Sequence, residues 1–151
     1  MTIESRNFVL FLMGPTASGK TELAIEISKI IDSKLISVDS ALIYNGMDIG
    51  TAKPDKETLK SFPHELIDVC NPEDSFSVTD FISLAKKHIK TALNNGKLPI
   101  LVGGTSFYFN ALEHGLSSLP ASTDESRKYF NNLLRSFGRN FKRTSGQQKS
   151  K

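Results

Sequence analysis

Three short runs of apolar residues predict strands that are buried on both faces. Residues 8–13 and 99–102 each run directly into glycine, and residues 35–38 run into Asp39. Continuous apolar runs of this length are typical of a parallel sheet covered by helices on both sides. Residues 63–69 are a candidate for one further strand.

Helical periodicity fills the intervals between these runs. Apolar residues recur at helical spacing over residues 23–31 and again over residues 78–93. The second pattern is preceded by Ser77 and Asp80, which match a capping box, and is followed by Gly96, which favours a helix end. Strands that alternate with helices predict an α/β fold, in which ligands bind at the carboxyl ends of parallel strands.

The composition of the 151 residues, 38% hydrophobic and 23% charged, predicts a folded core and excludes a wholly disordered chain. The longest apolar run has six residues, and no leader-like segment opens the chain, so we expect a cytoplasmic protein without membrane spans. A single cysteine, Cys70, cannot form an internal disulfide, and we interpret it as a packing residue.

Charge is distributed unevenly along the chain. Residues 1–126 carry 11 Lys/Arg and all 16 Asp/Glu, whereas residues 127–151 carry eight Lys/Arg and no acid. Composition alone therefore does not establish a nucleic-acid partner. The same shift divides the chain into a predicted α/β core (1–120), a helical extension (121–137) and a basic tail (138–151) that we expect to be disordered.

The most specific motif is a phosphate-binding loop at residues 14–21. Its residues are Gly14, Pro15, Thr16, Ala17, Ser18, Gly19, Lys20 and Thr21, and they lie between a predicted strand and a predicted helix. That context matches the G-x-x-x-x-G-K-[ST] pattern, in which backbone N–H groups and the Lys surround phosphates and the Thr hydroxyl reaches Mg²⁺. The loop predicts a polyphosphate ligand and a P-loop NTPase-like sheet.

Two other strand ends carry candidate chemistry. Asp39 follows the second apolar run, where it is a general base or metal ligand, or alternatively a helix cap or an outer ligand of Mg²⁺. Gly103 and Gly104 permit close approach of a ligand and Thr105 adds a hydroxyl, although this segment taken alone favours a tight strand-to-helix turn with Thr105 as N-cap. Together with the loop, these residues predict three walls of one cleft.

Four segments closely resemble the tRNA dimethylallyltransferase family, and the resemblance extends over residues 9–120. They are GPTASGKT at 14–21, ISVDSALIYNGMDIGTAKP at 36–54, the Pro63-His64 pair and LVGGTSFY at 101–108. The resemblance implies transfer of the dimethylallyl group of dimethylallyl diphosphate to N6 of the adenosine beside the tRNA anticodon, with release of diphosphate. The phosphate loop then holds a leaving group.

Residue roles follow from the resemblance. It implies catalytic roles for Asp39 as general base, for Thr105 as a donor to the leaving oxygen, and for Lys20 as the electrostatic centre. It places Asp39, Ser40, Ala41 and Leu42 against the tRNA, and Mg²⁺ at Thr21. We expect His64 to be structural, and Tyr44 and Tyr108 to be core residues rather than base-stacking ones. A monomer is expected.

Family members run to about twice this length, so the resemblance also implies a sheet that is incomplete relative to the family. Two alternatives stay open. A small-molecule or nucleotide kinase would share the loop, although the loop of that class more often reads G-x-x-G-x-G-K, a pattern that residues 14–20 do not match. A non-catalytic fragment that binds diphosphate would need no intact active site.

Overall fold

The computed structural model describes residues 8–116 together with Glu125, Lys128, Tyr129 and Asn132, which are helical. The chain divides into two compact units, Met1–Leu116 and Ser117–Lys151. Apart from those four residues, the predicted extension at 121–137 and the predicted tail at 138–151 lie outside the described residues.

The described part of the first unit, residues 8–116, contains four strands and four helices in an alternating α/β order. In chain order they are β1 (Leu10–Met13), α1 (Lys20–Ile30), β2 (Ser33–Ser37), α2 (Lys56–Ser61), β3 (His64–Glu65), α3 (Val78–Asn94), β4 (Leu98–Gly103) and α4 (Ser106–His114).

All strand pairings in the sheet are parallel, and the order is β1-β4-β2-β3. The last strand of the chain therefore lies between the first two. β4 pairs with β1 through Met13 opposite Gly103 and with β2 through Ser37 opposite Val102. This order brings the carboxyl ends of β1, β4 and β2 side by side, which confirms the expected α/β class.

Apolar side chains fill both faces of the sheet, as the continuous apolar runs predicted. Leu35, Ile100 and Val102 pack with Ala24 of α1 on one face. Side chains of opposite parity pack with α3 and α4 on the other face; that cluster contains Ile36, Val38, Ile43, Leu66, Phe81, Ala85, Leu101, Tyr108 and Phe109. Alternate residues of each central strand thus contribute to different clusters, because successive side chains point to opposite faces.

The helix predicted over residues 78–93 is confirmed together with its capping box. The Asp80 N–H donates to Ser77 Oγ at 3.2 Å, and the Ser77 N–H donates to Asp80 Oδ2 at 2.9 Å. The Ser77 hydroxyl also donates to Asp80 Oδ2, and this bond together with the one from the Ser77 N–H holds the pKa of Asp80 below its ordinary value. The helix ends at Asn94, and Gly96 follows with a φ of +70°.

The structure differs from the sequence predictions in the length of one strand and in the presence of one further helix. The candidate strand at 63–69 shrinks to the two residues of β3, paired with β2. The six-residue helix α2 was not predicted, since it has no apolar face. Its start is nevertheless visible in the sequence, because the Asp55 carboxylate accepts a hydrogen bond from the Thr58 N–H at 2.7 Å.

Candidate functional site

The phosphate loop connects β1 to α1 in a conformation that needs glycine. Gly19 lies at the N-cap with φ +78°, and no side chain caps the helix there. A Cβ built on Gly14 would lie 3.1 Å from Ser18 Oγ, so the loop folds closely on itself. Ala17 also has a positive φ, +62°. The first N–H groups of α1 consequently point out of the loop, where an anion can accept from them.

Lys20, the first residue of α1, extends its side chain back over the loop. Its ammonium group donates to the Pro15 carbonyl and to Ser18 Oγ, the latter at 3.2 Å. Both acceptors are neutral oxygens. A phosphate oxygen would be a stronger acceptor for the same ammonium group, because a charge-assisted hydrogen bond is about twice as strong as a neutral one.

Gly103 allows the tips of β4 and β2 to approach each other. A Cβ at this position would lie 2.0 Å from the carbonyl oxygen of Val38. Two backbone hydrogen bonds continue the contact past the ends of the strands: Val38 N–H to Val102 O at 2.8 Å and Thr105 N–H to Val38 O at 3.2 Å. The glycine thus sets where Asp39 and Thr105 emerge from the sheet.

Asp39 caps the turn that follows β2. Its Oδ1 accepts from the N–H of Ala41 at 2.8 Å and from the N–H of Leu42 at 3.3 Å. The alternative raised from the sequence was a helix cap; Asp39 instead caps a turn, since the structure describes no helix between α1 and α2. These two bonds orient the carboxylate in the cleft that Lys20 also lines, and Oδ2 takes no part in them.

Thr105 occupies the N-cap position of α4 but does not cap the helix with its side chain. Instead, Thr105 Oγ1 accepts from the Ser40 N–H at 3.1 Å. Thr105 is therefore the N-cap residue that the sequence alternative named, but its hydroxyl bonds to the backbone of the neighbouring turn and not to α4. A hydroxyl that accepts in this way keeps a proton that it can donate.

One cleft collects most of the predicted site residues. It is lined by Thr16 to Thr21 of the loop, by Asp39 and Leu42 after β2, and by Gly103 and Gly104 after β4. Gly14 and Pro15 line an adjacent cavity that they share with Gly103 and Gly104. Ser40, Ala41 and Thr105 are not among the residues that line the cleft, although the hydrogen bonds given above tie them to it.

The cleft has a further wall that the sequence did not predict. Thr51, Ala52, Pro54, His64 and Ile67 form it. The only signal was their place within, or close after, the long segment 36–54 that carries the resemblance. Their contribution depends on how the chain folds back after β2, which local patterns do not encode.

Lys53 fixes this wall. Its ammonium group donates to Asp48 Oδ1 and Asp68 Oδ1, each at 2.7 Å, and to the Tyr44 carbonyl at 3.4 Å. The side chain is only 5% exposed. Burial by itself lowers the pKa of Lys53, but the hydrogen bonds to the two carboxylates outweigh it and raise that pKa. The amine therefore stays charged and joins residues 45–54 to the segment after β3.

His64 lies on the wall as a neutral ring. Its Nδ1 is 2.8 Å from the Phe62 carbonyl, and since a carbonyl only accepts, Nδ1 carries the proton. Burial lowers the pKa of His64, and the bond to Phe62 offsets part of this. Among the described residues, its buried Nε2 has no hydrogen-bond partner. The ring was expected to be structural, and its bond to the backbone agrees with that role.

The side chains of Tyr108 and Cys70 pack in the core beside the cleft. Tyr108 is 8% exposed and stacks on Phe81 with ring centroids 4.4 Å apart, as expected of a core residue. Burial raises the pKa of Tyr108, and Tyr44 and Asp39 add to the effect. Cys70 packs against the same cluster, and burial raises the pKa of its thiol, which disfavours a reactive thiolate.

The cleft fits a metal ion that is shared with a substrate, not a protein-only metal site. Within the described part of the chain, no three His, Cys, Asp or Glu side chains come together as a metal cluster. Thr21, Glu22 and Asp39 bring oxygen donors to the cleft, and Mg²⁺ usually combines few protein oxygens with phosphates and water.

In the same described residues, no helix is long and apolar enough to cross a bilayer.

A family model, curated relatives and solved structures all relate this chain to one family of transferases. A family model described as IPP transferase matches residues 42–145. The chain is 65% identical over 138 residues to a tRNA dimethylallyltransferase of Ruthia magnifica subsp. Calyptogena magnifica; the match covers 91% of this chain and 45% of the relative. The chain therefore spans less than half the length of that curated relative.

Solved structures of similar proteins share the fold. A tRNA isopentenylpyrophosphate transferase from Bacillus halodurans is 40% identical with a TM-score of 0.69, and the match covers 86% of this chain and 43% of that one. The corresponding protein from Staphylococcus epidermidis is 42% identical with a TM-score of 0.64, covering 84% and 41%.

Proposed function

Because this chain belongs to the IPP transferase family, we propose that its cleft transfers the dimethylallyl group of dimethylallyl diphosphate to N6 of the adenosine beside a tRNA anticodon. Diphosphate is the second product. One observation carries the proposal: Lys20, in the phosphate loop, and Asp39, at the tip of β2, line the same cleft. The group proposed to stabilise the leaving anion and the group proposed to accept the proton therefore lie in one cleft.

The loop acts on the leaving group. Breaking the allylic C–O bond builds negative charge on the diphosphate, and in this proposal the loop N–H groups and Lys20 stabilise that charge. The N–H groups without a side-chain cap at the start of α1, and the Lys20 ammonium group that reaches back over the loop, support this role. In this step the Lys20 ammonium group exchanges the Pro15 carbonyl and Ser18 hydroxyl for diphosphate oxygens. Thr21 would hold Mg²⁺ together with the diphosphate, and the ion supplies further positive charge when bound.

Asp39 acts on the incoming amine. As N6 attacks the prenyl carbon, the amine gains positive charge and must lose a proton, which the Asp39 carboxylate accepts. The N–H groups of Ala41 and Leu42 orient the carboxylate for this step. Thr105 donates its hydroxyl proton in a hydrogen bond to the leaving oxygen, while the Ser40 N–H holds the hydroxyl in place.

A transfer assay with labelled dimethylallyl diphosphate and unmodified tRNA tests the proposal. The decisive variant is Asp39→Asn, whose amide oxygen can still accept from Ala41 and Leu42 but cannot take the proton. We expect transfer to fall by about 10² to 10⁴-fold, the usual contribution of a general base. Calorimetry should show that the same variant still binds Mg²⁺-diphosphate, because Thr21 and the loop, and not Asp39, are proposed to hold it.

Lys20→Met provides the matched comparison. It should weaken Mg²⁺-diphosphate binding by at least about tenfold, since a hydrogen bond to a charged group contributes about 1.5–3 kcal/mol. If the wild-type chain binds diphosphate yet transfers no prenyl group, or if Asp39→Asn transfers at the wild-type rate, the proposed function is wrong. Phosphoryl transfer from ATP to a nucleoside would instead support a kinase.

We further propose that the protein acts in the cytoplasm as a monomer. The tRNA substrate and the reducing environment implied by a single free cysteine support the first part. Light scattering during size-exclusion chromatography tests the second, and a dimer mass would refute it.

A further inference from the structure

A loop at the rim of the cleft exposes two large apolar side chains. Ile49 is 98% exposed, the highest value among the large hydrophobic residues described, and Met47 is 43% exposed. Isolated exposed apolar residues are common on protein surfaces and need no explanation. These two differ because the loop that carries them is held in place and is continuous with the wall of the cleft.

Several interactions hold the loop. Lys53 pairs with Asp48 and Asp68 at its base, and Thr51 Oγ1 donates to the Met47 carbonyl at 2.7 Å. Gly50 adopts a φ of +76° that brings the chain back after Ile49. A held loop presents its tip without the entropy cost of ordering it on binding.

The returning limb of the loop ends in the active site. Thr51, Ala52 and Pro54 line the cleft that Lys20 and Asp39 share. Ile49 is two residues before Thr51, so its backbone lies within about 7 Å of a residue that lines the cleft. Asp48, the only acid between residues 45 and 54, is paired with Lys53, which weakens its repulsion of an approaching polyanion but does not cancel it, because Asp68 shares the same ammonium group.

The proposed reaction creates a need for an apolar group at this rim. To reach a cleft at the strand tips, the target adenine must leave its stack, which costs a few kcal/mol. Ile and Met are among the side chains that proteins insert between bases to offset unstacking. Given the proposed function, we propose that Ile49, backed by Met47, inserts into the RNA stack in the place that the extruded adenine leaves.

Ile49→Ala tests the insertion with binding readouts on the full chain. The probe is an anticodon stem-loop RNA with 2-aminopurine at the target position, whose fluorescence rises on unstacking. We expect Ile49→Ala to weaken RNA binding by about tenfold or more, the loss that follows from unburying an Ile side chain, and to reduce the fluorescence rise. Ile49→Leu should restore both. Because the Ile49 side chain is almost fully exposed, the Tm of the Ile49→Ala variant should equal that of the wild-type chain.

Ile30→Ala is the matched control. Ile30 is the last residue of α1 and is 85% exposed. It lies at the opposite end of that helix from the phosphate loop, so its truncation should leave both readouts unchanged. The inference is overturned if Ile49→Ala behaves like Ile30→Ala, if the wild-type chain does not bind the RNA, or if Ile49→Ala only abolishes self-association. If Ile49→Ala lowers RNA binding and fluorescence as expected but the wild-type chain transfers no prenyl group, the proposed function is wrong and the inference about Ile49 is supported.

Discussion

Gly103→Ala should destabilise the protein more than any other single methyl group added near the cleft. The new Cβ would lie 2.0 Å from the Val38 oxygen, 2.4 Å from its carbonyl carbon and 2.9 Å from its Cα. All three atoms belong to the backbone, so no side chain can rotate away. The tips of β2 and β4 must therefore separate by at least about 1 Å to reach the closest contacts that real Cβ atoms show.

The magnitude follows from what that separation breaks. The hydrogen bonds from Val38 N–H to Val102 O and from Thr105 N–H to Val38 O, now 2.8 and 3.2 Å, would stretch beyond bonding distance. Their net contribution is about 1 kcal/mol each, and overpacking adds about 1–3 kcal/mol. We expect a loss of about 3–5 kcal/mol, which corresponds to a fall of about 10–20 °C in Tm.

Thermal and denaturant unfolding followed by circular dichroism measure this loss. Gly104→Ala is the control, because its Cβ would meet only the Gly14 carbonyl oxygen, at 3.4 Å, an ordinary contact. That variant should stay within about 0.5 kcal/mol of wild type. Equal stability of the two variants would refute the argument that close approach of β2 and β4 requires glycine at position 103.

Three further predictions concern stability. Lys53→Met should lower the unfolding midpoint clearly more than Lys29→Met, since Lys53 is nearly buried against two carboxylates whereas Lys29 sits in an exposed pair; equal shifts in thermal melts would contradict this. Ser77→Ala removes the N-cap of α3 and should cost about 1 kcal/mol in denaturant unfolding, an unchanged midpoint being the contrary result. Burial lowers the pKa of both His64 and His88, so the unfolded chain binds more protons below about pH 6.5 and stability falls as the pH falls. His64→Gln should reduce this loss between about pH 7.5 and about pH 5.5, and an unaltered pH dependence would show that His64 does not cause it.

Local patterns were sufficient where neighbouring residues decide the structure. The capping box of α3, the apolar runs of three strands and the phosphate loop were predicted correctly in type and close to their bounds. Each depends on residues within a few positions of one another: the Ser77–Asp80 pair is three residues apart, and the loop spans eight. α2 escaped prediction because its six residues have no buried face.

The sequence by itself determined the class of fold and the phosphate chemistry, since periodicity, capping and the loop motif are local. Only the tertiary structure decided that β4 lies between β1 and β2, which brings Lys20 and Asp39 into one cleft. It also decided that the Thr105 hydroxyl bonds to Ser40 N–H and that Lys53 joins Asp48 to Asp68. These pairings join residues 5 to 65 positions apart, and they form only when the strand order and the packing of the connecting segments bring the partners together.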